Sequence, residues 1–294
     1  MLYLDQSCII LDKPSGISSN NALKKVKQKL NQKKAGFSGT LDPMASGLLI
    51  IFFNKATKLC SMFLNANKNY EAIMQLGVIS STGDLDGDII SRNNVPKITE
   101  NDLEKLEIKY TGTVSQVPPM YSALKHNGIR LYEYARKGIH IDRPSREINI
   151  FKIKLNLIDK DHISIKVKCS KGTYIRTLVE QIGNDIGCGA LVSKLRRTKI
   201  NEIDLSKSIK LGDLISLPEE DIYKKYIINA DKLLHDINCC YLSEINIKKI
   251  INGDKVKIDD NACAIVRIYD LDKKFIGIGK INDNFELSPN KIFV

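Results

Sequence analysis

The sequence predicts a mixed fold of helices and strands that continues to about residue 235 and is followed by a small β module. In the first part, segments with helical spacing of apolar residues alternate with segments of strand character. From about Asp236 the pattern changes to short strands separated by polar turns, which is typical of a small all-β domain. We therefore expect two domains, residues 1–235 and residues 236–294.

The first elements are predicted from apolar spacing and capping residues. Cys8–Leu11 is a short apolar run typical of a strand. Ser18 and Ser19 are candidate N-caps for a helix over Asn20–Leu30, because its apolar residues recur on one helical face. The continuous apolar run Leu48–Phe53 predicts a buried strand.

The middle of the chain continues this alternation. Thr99-Glu100-Asn101-Asp102 resembles a capping box and predicts a helix to about Glu107. Alternating apolar residues in Glu147–Ile158 and His162–Cys169 predict a hairpin. The other predicted elements are helical spacing over Thr57–Leu64, a strand at Tyr70–Leu76, a strand and then an extended loop in Thr111–Leu124, a helix over Leu131–Arg136, a helix over Thr173–Ile186 ended by Gly187, and a strand or short turn at Ala190–Arg197.

The C-terminal part begins after a predicted connection at Leu217–Asp221, where a proline precedes three acidic residues. Beyond it, apolar runs bounded by polar turns predict strands at Lys255–Ile258, Ala262–Tyr269 and Phe275–Ile281. The adjacent Cys239-Cys240 pair is interpreted as part of a strand rather than as a pair of metal ligands.

The net charge of +11, from 45 basic and 34 acidic residues, suits a polyanionic partner such as nucleic acid. The chain is also rich in Lys, Asn and Ile together, so part of this charge is explained by compositional bias on solvated faces. The sequence has no apolar run of membrane-spanning length and no signal-peptide pattern at its start. We expect a soluble, cytoplasmic protein.

Metal and cofactor chemistry have no signature in the sequence. The seven cysteines are scattered without a C-x-x-C spacing, and the four histidines do not complete a zinc pattern. Glycine-rich phosphate loops and a serine nucleophile elbow are also absent. Asp84-Leu85-Asp86-Gly87-Asp88 lacks the glycine position and closing glutamate of a calcium loop, so it is interpreted as a solvated turn. We expect chemistry by side chains alone, with no cofactor and no metal.

The segment Ser38–Gly47 presents Asp42 on a shaped loop just before the buried strand. Gly39 and Gly47 permit backbone conformations closed to other residues, and Pro43 keeps Asp42 out of the helical region. By itself this pattern fits a surface turn about as well as a functional loop.

Further candidates lie at the starts and ends of predicted elements. Arg176, near the start of a helix, is either a surface charge or the partner of a buried carboxylate. Arg196 and Arg197 lie beside apolar residues and are a reasonable phosphate contact. Tyr70 opens a strand, where a lone tyrosine usually serves packing.

Taken together, these segments resemble the bacterial tRNA pseudouridine-55 synthase family over essentially the whole chain. The motifs that carry the resemblance, in order, are I-L-D-K-P-S-G-I-S-S-N (10–20), S-G-T-L-D-P-M-A-S-G-L-L (38–49), K-N-Y-E-A (68–72), Q-V-P-P-M-Y-S-A-L-K (116–125), R-L-Y-E-Y-A-R-K-G (130–138), C-S-K-G-T-Y-I-R-T-L (169–178) and L-R-R-T (195–198). The resemblance implies an α+β fold, with a mixed, largely antiparallel sheet flanked by helices and a C-terminal β-barrel-like PUA module.

The resemblance also implies roles for individual residues. Asp42 corresponds to the family's catalytic aspartate, which isomerises a flipped-out uridine to pseudouridine without a cofactor. Tyr70 matches the tyrosine that stacks on the uracil and is placed to help move the proton from C5. Arg176 matches the arginine that pairs with the aspartate, and Tyr174 and Leu195 match residues that line the pocket.

One position departs from the family pattern. Phe37 stands where the family usually has a histidine that occupies the space left by the flipped base. An aromatic ring can still stack there, so we expect Phe37 to fill this space as a wedge. We expect it to lack the polar contacts of the histidine. Lys13 and Pro14 match the N-terminal motif, and we expect them to pack beside the catalytic loop.

The resulting expectation is isomerisation of uridine at position 55 in the T-loop of tRNA, by a monomer that binds the T-arm. Two alternatives remain open: a non-catalytic tRNA-binding or tRNA-folding protein of the same fold, and a synthase acting on a different RNA. The presence of Asp42, Tyr70 and Arg176 together favours an enzyme.

Overall fold

The computed structural model describes residues 4–258 and 264–294. Its strands are β1 (Ser7–Lys13), β2 (Ala35–Phe37), β3 (Ser46–Phe53), β4 (Lys68–Leu76), β5 (Val78–Ser80), β6 (Ile89–Arg92), β7 (Gly112–Gln116), β8 (Lys125–His126), β9 (Ile129–Arg130), β10 (Arg146–Asp159), β11 (His162–Cys169), β12 (Ala190–Ile200), β13 (Ile209–Lys210), β14 (Ile227–Asn229), β15 (Cys239–Leu242), β16 (Val256–Lys257), β17 (Ile265–Asp270), β18 (Phe275–Ile281) and β19 (Glu286–Ile292). Its α-helices are α1 (Ser19–Lys29), α2 (Cys60–Leu64), α3 (Glu100–Tyr110), α4 (Leu131–Arg136), α5 (Ile175–Ile186), α6 (Leu211–Ser216), α7 (Glu219–Lys225) and α8 (Glu244–Asn252).

Local signals in the sequence account for several helix ends. The side chain of Ser18 accepts the backbone N–H of Asn21 at 3.1 Å and begins α1. The predicted capping box is confirmed, because the side chains of Thr99 and Asp102 each accept the other residue's backbone N–H. Gly187, with φ of 89°, ends α5 in the left-handed conformation that glycine adopts without strain.

A ten-stranded mixed sheet, counted over the described residues, forms the centre of the larger part of the molecule. Its main path runs β13-β1-β3-β12-β4-β11-β10-β7, with β14 beside β1 and β2 beside β3. The neighbours are antiparallel except at β1–β13 and β3–β12, which confirms a largely antiparallel sheet. The predicted hairpin is β10–β11.

Helices cover parts of this sheet and divide its core. The apolar residues of α3 and α5 pack on β4, β10, β11 and β12 in one cluster. A second cluster joins α1, α6 and α7 to β1 and β3. The strands β3 and β12 meet between these regions, and the loop before β3 lies at this junction.

The C-terminal residues form a separate five-stranded sheet in the order β15-β17-β18-β19-β16, which curls into a half-barrel. Cys239 and Cys240 lie in β15, as expected. This sheet is not isolated from the larger one. Tyr269 and Phe275 of this sheet, and Phe293 just after β19, are buried in the same apolar cluster as Ile10 and Phe52 of the large sheet.

Two predictions for the C-terminal third are wrong. Glu219–Asp221 are the first turn of α7 rather than part of a connection, because acidic side chains stabilise a helix N-terminus. The C-terminal module is not all-β, since it contains α8, whose Ile247 and Ile250 are buried against the strands. The strand predicted from Ala262 is observed as β17, and residues 262 and 263 lie outside the described residues.

Candidate functional site

The loop that carries Asp42 is held in place by its glycines and by α1. Gly39 and Gly47 have φ of 89° and 104°, which confirms the expected glycine conformations. Ser19 of α1 accepts the N–H of Leu41 at 2.8 Å and donates to its carbonyl at 3.0 Å. These paired hydrogen bonds fix the residue next to Asp42.

Lys13 ties the end of β1 to the same loop. Its side chain is fully buried, and Nζ donates to the carbonyls of Pro14, Ile17 and Pro43 at 2.9, 2.7 and 3.4 Å. Burial lowers the pKa of Lys13 to about 8, although the nearby Asp42 raises it. The lysine therefore has the structural position beside the loop that the sequence motif predicts.

Asp42 forms a salt bridge with Arg176, as the family resemblance implies. The Arg176 Nε lies 3.0 Å from Asp42 Oδ2, and its Nη1 lies 3.6 Å from Asp84 Oδ2. The same guanidinium donates to the carbonyls of Thr82 and Tyr121, both at 2.7 Å. Arg176 is only 4% exposed. Its many partners fix the direction from which it meets Asp42.

The electrostatics of Asp42 combine opposing influences. Burial raises its pKa above the ordinary value, and the negative charge of Asp84 adds to the rise. Arg176 lowers it by charge and by hydrogen bonding, and the charge of Lys13 also lowers it. One third of the Asp42 side chain remains exposed, so the carboxylate can still meet a ligand.

A cavity of about 300 Å³ opens above the Asp42–Arg176 pair. Five of the six site residues predicted from the sequence line it, namely Asp42, Tyr70, Tyr174, Arg176 and Leu195. Its wall combines aromatic and aliphatic surfaces with a carboxylate and several cations. This composition suits a flat, polar, partly anionic ligand.

Neighbouring strands and α5 position the other side chains. Tyr70 lies on β4 and packs against the α3–α5 core cluster, while Leu195 lies on β12 and is buried in it. Tyr174 immediately precedes α5, where its N–H donates to Gln116 Oε1 at 2.8 Å and its carbonyl accepts from Gln116 Nε2 at 3.1 Å. The Arg146 guanidinium lies 5.1 Å from the Tyr174 ring centroid.

Phe37 is the predicted site residue that the structure does not bring to the cavity wall. It lies on β2, paired with Ile51 of β3, and is partly buried against the cluster that joins α1 to the sheet. It does not belong to the residues that line the cavity.

The two adjacent arginines of β12, Arg196 and Arg197, differ in exposure and in bonding partners. The prediction that Arg197 contacts phosphate is wrong, because its side chain is 1% exposed and donates to backbone carbonyls. Arg196 is 38% exposed at its side chain and forms a two-point pair with Asp12, at 3.0 and 2.7 Å. Alternation along β12 sends the two guanidinium groups to different partners.

Asp84 is a site residue that sequence reasoning does not find. The sequence predicts a solvated turn here, but Asp84 is only 3% exposed and faces Arg176. Its Oδ1 accepts from the Thr82 hydroxyl and from the backbone N–H of Asp86. The D-L-D-G-D pattern gives no local sign of burial, because the arginine that holds Asp84 is distant in sequence.

The structure also bears on two other features, metal-binding clusters and helices that could span a membrane. Within residues 4–258 and 264–294, no group of three or more His, Cys, Asp or Glu side chains is arranged to hold a metal ion. In the same residues, none of the helices has both the length and the apolar character required to cross a membrane.

Comparison with protein families gives three consecutive matches. Residues 27–175 match the model of the TruB family pseudouridylate synthase N-terminal domain. Residues 176–236 match the tRNA pseudouridylate synthase B C-terminal domain, and residues 239–293 match the C-terminal domain of pseudouridine synthase II TruB.

Individual relatives give the same result. The chain is 39% identical to tRNA pseudouridine synthase B of Nitrosococcus oceani, over 97% of this chain and 93% of the relative. It is 47% identical to the protein of that name from Azoarcus sp., over 71% of this chain and 70% of the relative. Among solved structures, a Cbf5-Nop10-Gar1 complex matches with a TM-score of 0.74 at 24% identity, over 99% of this chain and 86% of that one. At this identity the structural match supports the fold.

Proposed function

Because this chain belongs to the TruB family of pseudouridylate synthases, we propose that it isomerises a uridine of tRNA to pseudouridine, at position 55 in the T-loop. The observation that carries the proposal is the Asp42–Arg176 pair, which lies at a cavity lined by Tyr70, Tyr174 and Leu195. That the substrate is tRNA follows from the family. That the modified uridine is the one at position 55 rests on the motifs in the sequence.

The geometry supports a nucleophilic role for Asp42. Its carboxylate is partly exposed to the cavity and held by Arg176, which favours the ionised form. In the reaction the N-glycosidic bond breaks, the uracil turns, and a bond forms between C5 and the ribose. The attack of Asp42 on either the sugar or the base is compatible with this arrangement.

The cavity supports recognition of an extruded base. A uridine in a T-loop must leave its stack to reach Asp42, and an aromatic wall compensates for part of that lost stacking. Tyr70 provides such a wall, and Leu195 adds an aliphatic surface. In this proposal Tyr70 also receives the C5 proton.

The partner is the T-arm of tRNA, and the surplus of positive charge supports its binding. We propose that the protein acts as a monomer. We propose that the protein acts in the cytoplasm, because its tRNA substrate is processed there.

The test is conversion of an unmodified tRNA transcript, with pseudouridine mapped by position. We expect modification at position 55, and we expect Asp42→Asn to abolish it while tRNA binding measured on filters stays nearly unchanged. A transcript with cytidine at position 55 is the substrate control. Residual activity of Asp42→Asn within about tenfold of the parent protein, equivalent to less than about 1.4 kcal/mol, would contradict the role of Asp42.

The same assay separates the alternatives. Tight tRNA binding without any pseudouridine would indicate a non-catalytic tRNA-binding protein. Modification of another RNA in preference to tRNA would reject the substrate proposed here.

A further inference from the structure

Arg197 is a large buried cation beside the cavity, and the proposed reaction gives it no role. Its Nε donates to the Leu48 carbonyl at 2.8 Å, and its Nη2 donates to the Gly39 carbonyl at 3.1 Å. Burying a guanidinium is costly unless its N–H groups are paired. These bonds offset that cost and connect β12 to β3 and to the loop that carries Asp42.

The strand register places Arg197 next to Tyr70. The two residues are direct partners in the antiparallel pair β12–β4, and both line the cavity. The Arg197 guanidinium is close enough to the Tyr70 hydroxyl to lower its pKa both by charge and as a hydrogen-bond donor. Since arginine only donates, the Tyr70 oxygen is the acceptor toward Arg197, and the remaining capacity of the hydroxyl is available to a ligand in the cavity.

A close approach of two strands fixes where Arg197 lies. In the parallel pair β3–β12, Arg197 is opposite Gly47. A Cβ atom at position 47 would overlap the Arg197 carbonyl oxygen, so only glycine permits this spacing. The backbone of Arg197 is thereby locked against the end of the Asp42 loop.

The charges around Tyr70 make Arg197 the group that favours its ionised form. Burial raises the pKa of Tyr70 and the charge of Asp42 raises it further, whereas Arg197 lowers it by charge and by hydrogen bonding. Lys68 is a second cation on the cavity wall, but its Nζ is directed to the backbone carbonyls at the end of α2.

We propose that Arg197 is a positioning residue for removal of the C5 proton, because it is fixed beside Tyr70 on the cavity wall and its positive charge stabilises the phenolate. This inference rests on the proposed function. In the step, the C5–H bond breaks and its electron pair restores the C5–C6 double bond. N1 takes a proton from water, and the C5 proton forms the O–H bond of Tyr70, which later returns it to water.

The experiment compares R197M, which removes the charge, with R197K, which keeps it. Single-turnover rates are measured on tRNA transcripts containing uridine or 5-deuterouridine, as a function of pH. For R197M we expect a rate about 10- to 100-fold lower, a larger deuterium isotope effect, and partial recovery at higher pH as the phenolate forms. R197K should retain an isotope effect near that of the parent protein.

Two variants provide controls. R196M removes a neighbouring cation that pairs with Asp12 instead of Tyr70, and it should leave the isotope effect unchanged. In a Tyr70→Phe background, R197M should cause no further change in the isotope effect, because the phenol is already absent.

The outcomes distinguish this inference from the function itself. If the parent protein makes no pseudouridine, the proposed function fails. If it makes pseudouridine but R197M alters only the melting temperature or the rate, with an unchanged isotope effect and pH profile, Arg197 is purely structural and the inference is overturned. If R197M does not fold, the isotope effect of R197K is the test. An isotope effect that is larger in R197K than in the parent protein, although the positive charge is retained, would show that Arg197 does not act by stabilising the Tyr70 phenolate.

Discussion

At Asp42, burial and charge have opposing effects on the pKa. Burial and Asp84 raise its pKa above the ordinary value of 3.8, while Arg176 and Lys13 lower it. Since the nucleophile must be ionised, activity should be lost as pH falls through this raised pKa rather than through the ordinary one. Asp84→Asn removes a negative charge that faces the same arginine.

We therefore expect Asp84→Asn to move the acid limb of the pH–rate profile to lower pH. The measurement is the single-turnover rate across the acid range, with Asp86→Asn as the control, because Asp86 is more exposed and belongs to the same turn. An acid limb that moves to higher pH, or that moves equally in both variants, would contradict this account.

Phe37 packs against the apolar cluster that joins α1 to the sheet and does not line the cavity. That its ring fills the space left by the flipped base is therefore still a proposal. We expect Phe37→Ala and Phe37→His both to lower the melting temperature, since alanine removes packing and histidine buries a polar ring. If the ring also stacks in the RNA, alanine should slow modification by about one to two orders of magnitude, and histidine by less. Thermal melts beside turnover test this, and a fully active alanine variant would end the wedge hypothesis.

At the scale of elements, the junction between β3 and β12 depends on one glycine. Gly47 has φ of 104°, and a Cβ atom added to it would overlap the backbone of Arg197, so alanine there brings both strain and a clash. Gly112 has a similar φ of 98° but nothing within 4 Å, which makes it the matched control. Strain alone costs about 1–2 kcal/mol.

We expect Gly47→Ala to lower the free energy of unfolding clearly more than Gly112→Ala, and to reduce turnover because Arg197 must shift. Urea denaturation of the two variants, followed by turnover of the folded fraction, provides the comparison. Equal losses of unfolding free energy in the two variants would mean that β3 and β12 can move apart at Gly47 without a cost in stability.

At the scale of the whole molecule, the two sheets share a core. Tyr269, Phe275 and Phe293 of the C-terminal module are buried with residues of the large sheet, so removal of the module uncovers an apolar surface. The composition change near residue 236 by itself predicts a separable domain, but this contact predicts mutual stabilisation.

We expect deletion of residues 236–294 to lower the melting temperature and solubility of the remaining chain, as well as its affinity for tRNA. Phe293→Ala in the full chain tests the contact without deletion and should cost about 3–5 kcal/mol. Phe285, which is 44% exposed, is the matched control and should cost far less when changed to alanine. A truncated chain as stable as the full one would show that the modules are independent.

The sequence by itself determined the elements and the motifs. Caps, turns and apolar periodicity act over a few residues, so they specify α1, α3, α5 and the β10–β11 hairpin without knowledge of the fold. The motif around Asp42, together with those that contain Tyr70, Arg176 and Leu195, identified five of the residues that line the cavity.

Only the tertiary structure decided which charges are buried and which residues meet. Asp84 and Arg197 look like surface residues in the sequence, yet both are buried, because their partners lie on segments far away along the chain. Burial and pKa depend on what packs against a residue, and the chain sets that packing only when distant strands pair. For the same reason the sequence could not show that Phe37 lies away from the cavity or that the two sheets share a core.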